Sequence, residues 1–434
     1  MKVHIRTMVA AAALGLLGAL AGCDFFKVSN PGPVLEQFLN DSLAAPAIVN
    51  GAGRDLSDAL NYIAYTGGAI AREIFPAGST GSFGISSQQQ VGKLLDDDTN
   101  DYWQKAQRAR FEAEDGADRM RVSFGATRFA KDTLAAKVLL WAGYANRMLG
   151  ENMCDAVINK GPQEPYTVYL TRAESELTEA LAIATAASNA KFISAARAAL
   201  ASVRADLGKW PEATADAASI ADNFVFQMPY FNIGDQEQYN RIYWATANQP
   251  YRAHTVWNTV NDQYYTDTKD PRVPWTTNPN QPVGDAAVLS LGRVPWHIEQ
   301  KFAVRDAAIN LSTGWEMRLI QAEERLIAND LANAMTLINK HRLTLTPVQQ
   351  PWAATTIAEG WTALKRERGI ELWLEGRRLG DLRRWKAANR PGTLSPLEAP
   401  GTGTAGAPSY LVQQDLCFPI ALSEKQSNPH FTSP

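Results

Sequence analysis

Residues 366–385 read RERGIELWLEGRRLGDLRRW. Arg366, Arg368, Arg377, Arg378, Arg383 and Arg384 are interleaved there with Glu367, Glu371, Glu375 and Asp381, among Ile370, Leu372, Trp373, Leu374, Leu382 and Trp385. Three kinds of chemistry use such residues: a basic patch for nucleic acid, paired carboxylates acting as acid and base, or an ion-pair network that catalyses nothing. On a helical wheel Glu371, Arg377, Arg378 and Asp381 share a half with Ile370, Leu374, Leu382 and Trp385. A simple surface helix would separate the two sets, so some of these charges lie beside apolar packing. A charge in that position persists only when it is paired and hydrogen-bonded. Arginine suits bidentate pairing with carboxylates. The spacing predicts Arg377 with Asp381 (i,i+4) and Glu375 with Arg378 (i,i+3) along one helix. Interleaved acids exclude a nucleic-acid patch, and the segment reads as a structural network that locks the last helices together.

Other candidates for chemistry fall away. Gly401-Thr402-Gly403-Thr404-Ala405-Gly406 spells GxGxxG, but a dinucleotide site needs a strand before it and a helix after it. Pro400 and Pro408 bracket this stretch, which reads as a loop. Asp96, Asp98 and Asn100 alternate as in a calcium loop, without its glycine or closing glutamate. Ahead of a helix from about Tyr102 they read as capping and dipole-favoured charges. His254, His297, His341 and His430 show no metal-ligand spacing, and HExxH, CxxC and GxSxG do not occur. Glu323 and Glu324 read as solvent-facing or Arg-paired. No catalytic residue, metal or cofactor is assigned, and the chain is expected not to be an enzyme.

The elements that position these residues are mostly helical. The chain has 434 residues, is 45% hydrophobic and carries a net charge of −3, which allows a large core and gives no general electrostatic case for nucleic acid. Lys2 and Arg6 precede a short apolar run ending in Leu20-Ala21-Gly22-Cys23, which resembles the bacterial lipobox. Residues 1–22 read as a lipoprotein signal peptide, Cys23 as the lipidated residue, 23–35 as a tether through Asn30-Pro31-Gly32-Pro33, and 36–434 as a single body outside the cytoplasm. Several acyl chains on Cys23 would anchor it stably, each buried CH₂ contributing about 0.8 kcal/mol. Cys154 and Cys417 are left either to pair in an oxidising compartment or to remain buried thiols.

Three stretches repeat one pattern. Residues 138–158, 198–220 and 316–338 each read as a helix, a turn at Gly150, Gly208 or Asn329, and a second helix carrying Ala156, Ala213 or Ala334. Gly and Asn tolerate the left-handed C-cap, and the alanines permit close helix approach. The fold expected is mainly α, with tetratricopeptide-like hairpins at about 130–222 and 315–385. Between them, about 224–315, helical periodicity fades and Phe, Tyr and Trp recur among Pro and Asn. This reads as an irregular, aromatic-rich insertion. Loops are also read at 77–90 and 391–409.

Glu371-Leu372, Glu375-Gly376-Arg377-Arg378, Asp381-Leu382 and Arg384-Trp385 closely resemble the C-terminal signature of SusD/RagB-like outer-membrane lipoproteins. Phe418-Pro419-Ile420, Glu424 and Asn428-Pro429 look like that family's ending, with Ala421 where a second proline is frequent. Cys23 followed by Asn30-Pro31 resembles its usual start. The resemblance implies a surface-exposed, lipid-anchored nutrient-binding protein of the outer membrane, facing outside. It would capture oligosaccharide, or peptide in some members, and deliver it to a SusC-like TonB-dependent transporter barrel. A lipid-anchored hydrolase using dispersed carboxylates is the alternative outside the family.

Sugars bind by stacking ring faces on Trp or Tyr and by hydrogen bonds to Asn, Asp, Gln and Arg. The insertion offers both kinds of group: Tyr243, Trp244, Trp257, Tyr264, Tyr265 and Trp275, with Asn258, Asn261 and Asp262. Phe83, in the 77–90 loop, is expected on the opposite wall.

Overall fold

Helix starts follow the local sequence. Asp132 caps helix α3 through Leu134 N (2.8 Å), Asn189 caps α5 through Phe192 N (3.1 Å), and Thr313 caps α9 through Glu316 N (3.1 Å). Thr356 and Glu359 form a reciprocal capping box at the start of α11, satisfying amide donors that have no partner within the helix. The helices are α1 (Ala45–Ile70), α2 (Asn100–Phe129, interrupted at Gly125), α3 (Thr133–Asn152), α4 (Thr167–Ala186), α5 (Ala190–Asp206), α6 (Trp210–Ala218), α7 (Arg241–Thr246), α8 (Val260–Thr268), α9 (Gly314–Ile327), α10 (Leu331–Lys340), α11 (Ile357–Glu371), α12 (Arg378–Ala387) and α13 (Leu422–Ser427). The computed structural model describes residues 36–233, 238–247, 251–288, 291–401 and 410–431. The leader, Cys23, the tether to residue 35 and the GxGxxG residues 402–406 lie outside them. The fold divides after Leu39, and the elements from Asn40 onward make up one unit.

The fold of this unit is mainly α and built of tetratricopeptide-like hairpins. Each of α1 to α5 packs on the next, α6 packs on α9, and α9, α10 and α11 pack together. The α5–α6 turn falls at Gly208 (φ 74°) and the α9–α10 turn at Asn329 (φ 60°), where a left-handed backbone suits Gly and Asn. Ala213 and Ala217 of α6 are buried with Met317 and Ile320 of α9, the close approach that small residues permit.

The hairpin predicted at 138–158 is corrected. Gly150 is no turn: α3 continues to Asn152, and Ala156 lies on strand β2 (Asp155–Val157), which pairs with β3 (Gln163–Pro165). The second helix of this hairpin is α4. A Cβ at Gly143 would overlap Leu177, and one at Gly150 would overlap Leu170. Two glycines seven residues apart thus accept two leucines seven residues apart on the antiparallel neighbour. Gly150 serves helix packing, so the expected cap does not form. At the exit of α3, Cys154 is disulfide-bonded to Cys417. Beside this bond, Cys154 N donates to Phe418 O (2.9 Å) and Phe418 N to Asn152 O (2.7 Å).

The 224–315 insertion carries α7, α8 and short antiparallel strands. These are β4 (Val225–Met228) with β8 (Ile309–Thr313), and β6 (Trp275–Thr276) with β7 (Ile298–Glu299). Strand β5 (His254–Thr255) pairs outside it with β1 (Phe75–Pro76), so the insertion is stitched to the chain following α1. The predicted loop 77–90 holds two single helical turns, Thr80–Phe83 and Ser87–Gln90. The acids before α2 are not its caps. Asp96 pairs with Lys425 (2.9 Å), and Asp98 accepts from Ser86 Oγ (2.5 Å).

Segment 366–385 is two helices, not one. Leu374 (φ 60°) and Gly376 (φ 73°) turn the chain between α11 and α12. That turn separates Glu375 from Arg378, and Arg377, at the start of the helix that carries Asp381, is drawn instead to partners on other helices. Arg377 reaches Glu151 of α3 (2.9 Å) and Glu316 of α9 (2.8 Å), while Asp381 takes a bidentate bond from Arg368 (2.8 Å each). Arg378 pairs with Glu398 (2.6 Å) and Glu375 with Lys301 (2.8 Å). Arg384 binds Glu323, Asp381 (3.0 Å) and Asp206 (2.9 Å). Arg383 donates to the carbonyls of Gly150 and Met153, by the C-terminal end of α3. Burial alone would raise the Asp381 pKa, but Arg368 and Arg384 hold it down to about 2. The segment is a buried staple that ties α3, α9, α11 and α12 together.

Candidate ligand-binding site

Helix α7 is only six residues long and is positioned by neighbours. Asn240 accepts from Ile242 N (2.9 Å) and Tyr243 N (3.1 Å), and its amide donates to Ala307 O (2.9 Å). Asn61 of α1 accepts from Arg241 N (2.8 Å) and donates to Tyr239 O (2.5 Å). Buried amide side chains thus fix the helix from both sides, and their hydrogen bonds satisfy backbone groups that would otherwise be costly to bury. The result is an aromatic platform. Trp244 lies 5.7 Å from Tyr239 and 5.6 Å from Tyr251, between ring centroids. Phe83 meets Tyr251 edge-on at 5.4 Å. The Arg305 guanidinium sits over Tyr239 (5.0 Å) and Trp244 (5.4 Å). Tyr251 is 37% exposed, whereas Phe83, at 2%, forms the floor. Arg241 stacks over Tyr62 (4.0 Å) and donates to Phe83 O, which holds the 77–90 segment in place. Such a surface offers an apolar ring face beside a guanidinium, the two kinds of group a sugar ring needs.

The other predicted site residues separate. Asp262, Tyr265 and Trp275 come together around His297. Trp275 and His297 stack at 4.0 Å with planes 3° apart, His297 Nδ1 and Asp262 Oδ1 share a 2.7 Å hydrogen bond, and Tyr265 lies 5.9 Å from Trp275. Asn258 has a left-handed backbone (φ 58°), and its N–H donates to Asp262 Oδ2 (3.2 Å). Asn261 is closed to solvent, 1% exposed. Trp257 packs edge-on to Phe75 at 5.5 Å, in an apolar group with Val288 and Val294. Tyr243 is half-buried against the main core. Tyr264 is pinned: its hydroxyl donates to Asp270 (2.8 Å) and accepts from Arg342 (2.9 Å). Burial, then the Asp270 charge, push its phenol up to about 12.

Tyr239, Tyr251, Arg305 and His297 join these groups without having been singled out. For Tyr239 and Tyr251 the signal was present, as aromatics flanking Trp244 in the insertion. For Arg305 and His297 no local signal existed, since they arrive from a later part of the chain.

Glu299 lies beneath, fully buried on β7. It accepts from Phe302 N (2.5 Å) and Thr246 Oγ1 (3.3 Å), and burial pushes its carboxyl up to about 7. In the unfolded chain it ionises near 4.5. Between those values the unfolded chain holds less of this proton, so stability from this group falls as pH rises. His254, lowered by burial to about 3, acts in the opposite sense as pH falls below 6.5. The expected result therefore concerns a difference. Relative to Glu299→Gln, wild type should lose roughly 3 kcal/mol of stability between pH 4.5 and 7.5. Urea unfolding of both proteins at several pH values checks this, and parallel profiles would contradict it.

Residues 315–429 match the model of the SusD family. No curated protein matches the chain. Solved structures do. A SusD homolog from Bacteroides thetaiotaomicron is similar with a TM-score of 0.65 and 15% identity, covering 92% of this chain and 98% of that one. A SusD superfamily protein from Parabacteroides distasonis gives 0.62 at 13% identity, over 89% and 98%. A SusD-like carbohydrate binding protein from Bacteroides vulgatus gives 0.58 at 16% identity, over 82% and 86%. At these identities the likeness is one of fold.

Proposed function

We propose a binding function on one premise: this chain belongs to the SusD/RagB family. The reading is of a lipid-anchored protein of the outer membrane, facing outside, that captures a nutrient oligosaccharide. It passes that oligosaccharide to a SusC-like TonB-dependent barrel. Energy for uptake would come through the barrel, so no catalytic step is assigned to this chain. Cys23 would carry the anchor. Among the described residues no helix is long and apolar enough to cross a membrane.

The observation that carries the reading is the platform of half-buried Trp244 and exposed Tyr251 with Arg305 above it. It presents stacking surface and hydrogen-bond donors together, on an insertion held by a rigid helical frame. The Bacteroides vulgatus relative, described as carbohydrate binding, supports the choice of glycan over peptide. Trp244→Ala and Tyr251→Ala are each expected to weaken oligosaccharide binding about tenfold or more, equivalent to about 1.4 kcal/mol, with little change in melting temperature for Tyr251→Ala and some loss for Trp244→Ala, whose ring also packs on the core. Titration calorimetry with a bound oligosaccharide reads this. Full affinity in both variants would move the site elsewhere. Tyr264→Ala is expected instead to lower stability, because its loss strips a partner from both Arg342 and Asp270.

A further inference from the structure

We propose that the chain holds a second saccharide site, selective for an acidic sugar, in the cleft between α11 and residues 393–398. The sugar ring would lie on Trp352 and its carboxylate would meet Arg366. This rests on the glycan-binding reading above but involves neither α7 nor the platform.

The cleft measures about 550 Å³, within the range of small-molecule sites. Trp352 lines it and is held rigidly. Its indole N–H donates to Glu367 (2.7 Å), its backbone N–H donates to Asn339 Oδ1 (2.7 Å), and its ring lies against the Arg342 guanidinium (4.3 Å). A fixed, half-exposed indole is a stacking surface whose ordering cost is already met by the fold.

Arg366 lines the same cleft. Of the arginines in 366–385, Arg368, Arg377, Arg378 and Arg384 are paired with carboxylates, and Arg383 is taken up by two backbone carbonyls. Arg366 makes one hydrogen bond, to Val260 O (2.8 Å), and lies over the Tyr264 ring at 5.0 Å. Among the described residues no carboxylate stands within ion-pair distance of it. A guanidinium has five donors in a planar fork that fits a carboxylate.

The two acids lining the cleft are already engaged. Glu398 accepts from Arg378 (2.6 Å). Glu359 accepts from Thr355 N (2.6 Å) and Thr356 N (3.1 Å). Glu398 is thus ion-paired and the exposed Glu359 carboxylate is held at the start of α11, which leaves Arg366 as the cation lining the cleft without an ion-pair partner. Ser395 Oγ accepts from Leu397 N (3.3 Å), which leaves its proton for a sugar hydroxyl. An indole face, an unpaired guanidinium and a free hydroxyl proton together describe a uronate residue better than a neutral hexose.

The test uses the full chain in detergent, with oligogalacturonate, oligoglucuronate and oligomannuronate as probes. Their methyl esters, which keep the ring and remove the charge, serve as controls, beside a panel of neutral oligosaccharides. A uronate oligomer is expected to bind wild type at least about tenfold more tightly than its methyl ester, a comparison that needs no folded variant. Arg366→Met and Trp352→Ala should each lose that binding about tenfold, while Trp244→Ala keeps it. Equal binding of acid and ester would overturn the inference. So would loss in Trp244→Ala with retention in Arg366→Met, which would put the acidic sugar on the platform. Binding of neutral oligosaccharides alone would overturn the acidic site and leave the proposed function standing. Binding of no saccharide at all would overturn both.

Discussion

Arg377→Ala is expected to destabilise the fold by roughly 3–5 kcal/mol, the cost of breaking a buried pair by removing one partner. Arg377 is 6% exposed and bridges Glu151 and Glu316, which are 5% and 1% exposed. Its removal leaves two carboxylates in the core facing no countercharge from that side. Glu316 retains a hydrogen bond from Ser202 (2.8 Å), and Arg147 remains 3.4 Å from Glu151, so the loss is large without being total. Burial would raise the Glu316 carboxyl, and Arg377 with Arg147 bring it below its ordinary value. Without Arg377 it should take up a proton more readily. Adding Glu316→Gln to the variant is therefore expected to recover part of the loss. Urea unfolding measures all three proteins, and an unmoved midpoint in Arg377→Ala would falsify the staple. Folded Arg377→Ala should bind oligosaccharide as wild type does, because the platform is set by Asn61 and Asn240 rather than by this network.

Loss of the disulfide is expected to act on a similar scale. Cys154 and Cys417 are 263 residues apart in sequence, and a cross-link closing so long a loop removes much of the unfolded chain's freedom. The chain-entropy model sets the stabilisation at about 5.6 kcal/mol, just above the usual range of roughly 2–5 kcal/mol for native bridges. The bond also pins Phe418, fully buried, beside the end of α3. Cys154→Ser with Cys417→Ser should lower the unfolding midpoint, as should a reductant added to wild type. Two thiols reacting freely in the folded, untreated protein would contradict the bridge. A disulfide of this kind fits an exported chain, the compartment expected from the leader.

The hairpins at Gly208 and Asn329 were legible because each residue caps a helix locally, and a cap is written in a few adjacent positions. Gly150 misled because glycine has two uses, and only the leucines of α4, a separate helix, show that close packing applies here. The charges of 366–385 were legible as a buried network but not as pairs. Spacing rules assume one continuous helix, and the turn at Leu374 and Gly376 parts Glu375 from Arg378; Arg377 and Asp381 share α12 but are taken by Glu151, Glu316, Arg368 and Arg384 from elsewhere in the fold or the helix. The candidate site is proposed from a class of residue in one region, which the sequence shows. The partition of those residues was not legible, since Trp244 becomes a platform through Arg305, while Trp275 is joined to His297 and Trp257 to Phe75 across the fold. The segment that carried the family resemblance, 371–429, falls inside the 315–429 match.

The function proposed for this chain is to bind a glycan and leave it intact. Its most direct test mixes the full chain, in detergent, with pooled oligosaccharides and peptides, recovers the bound fraction and compares it with the unbound one by mass spectrometry. Intact oligosaccharides should be enriched on wild type, and the neutral ones among them depleted on Trp244→Ala. Enrichment of peptides alone, no enrichment at all, or new cleavage products would contradict it.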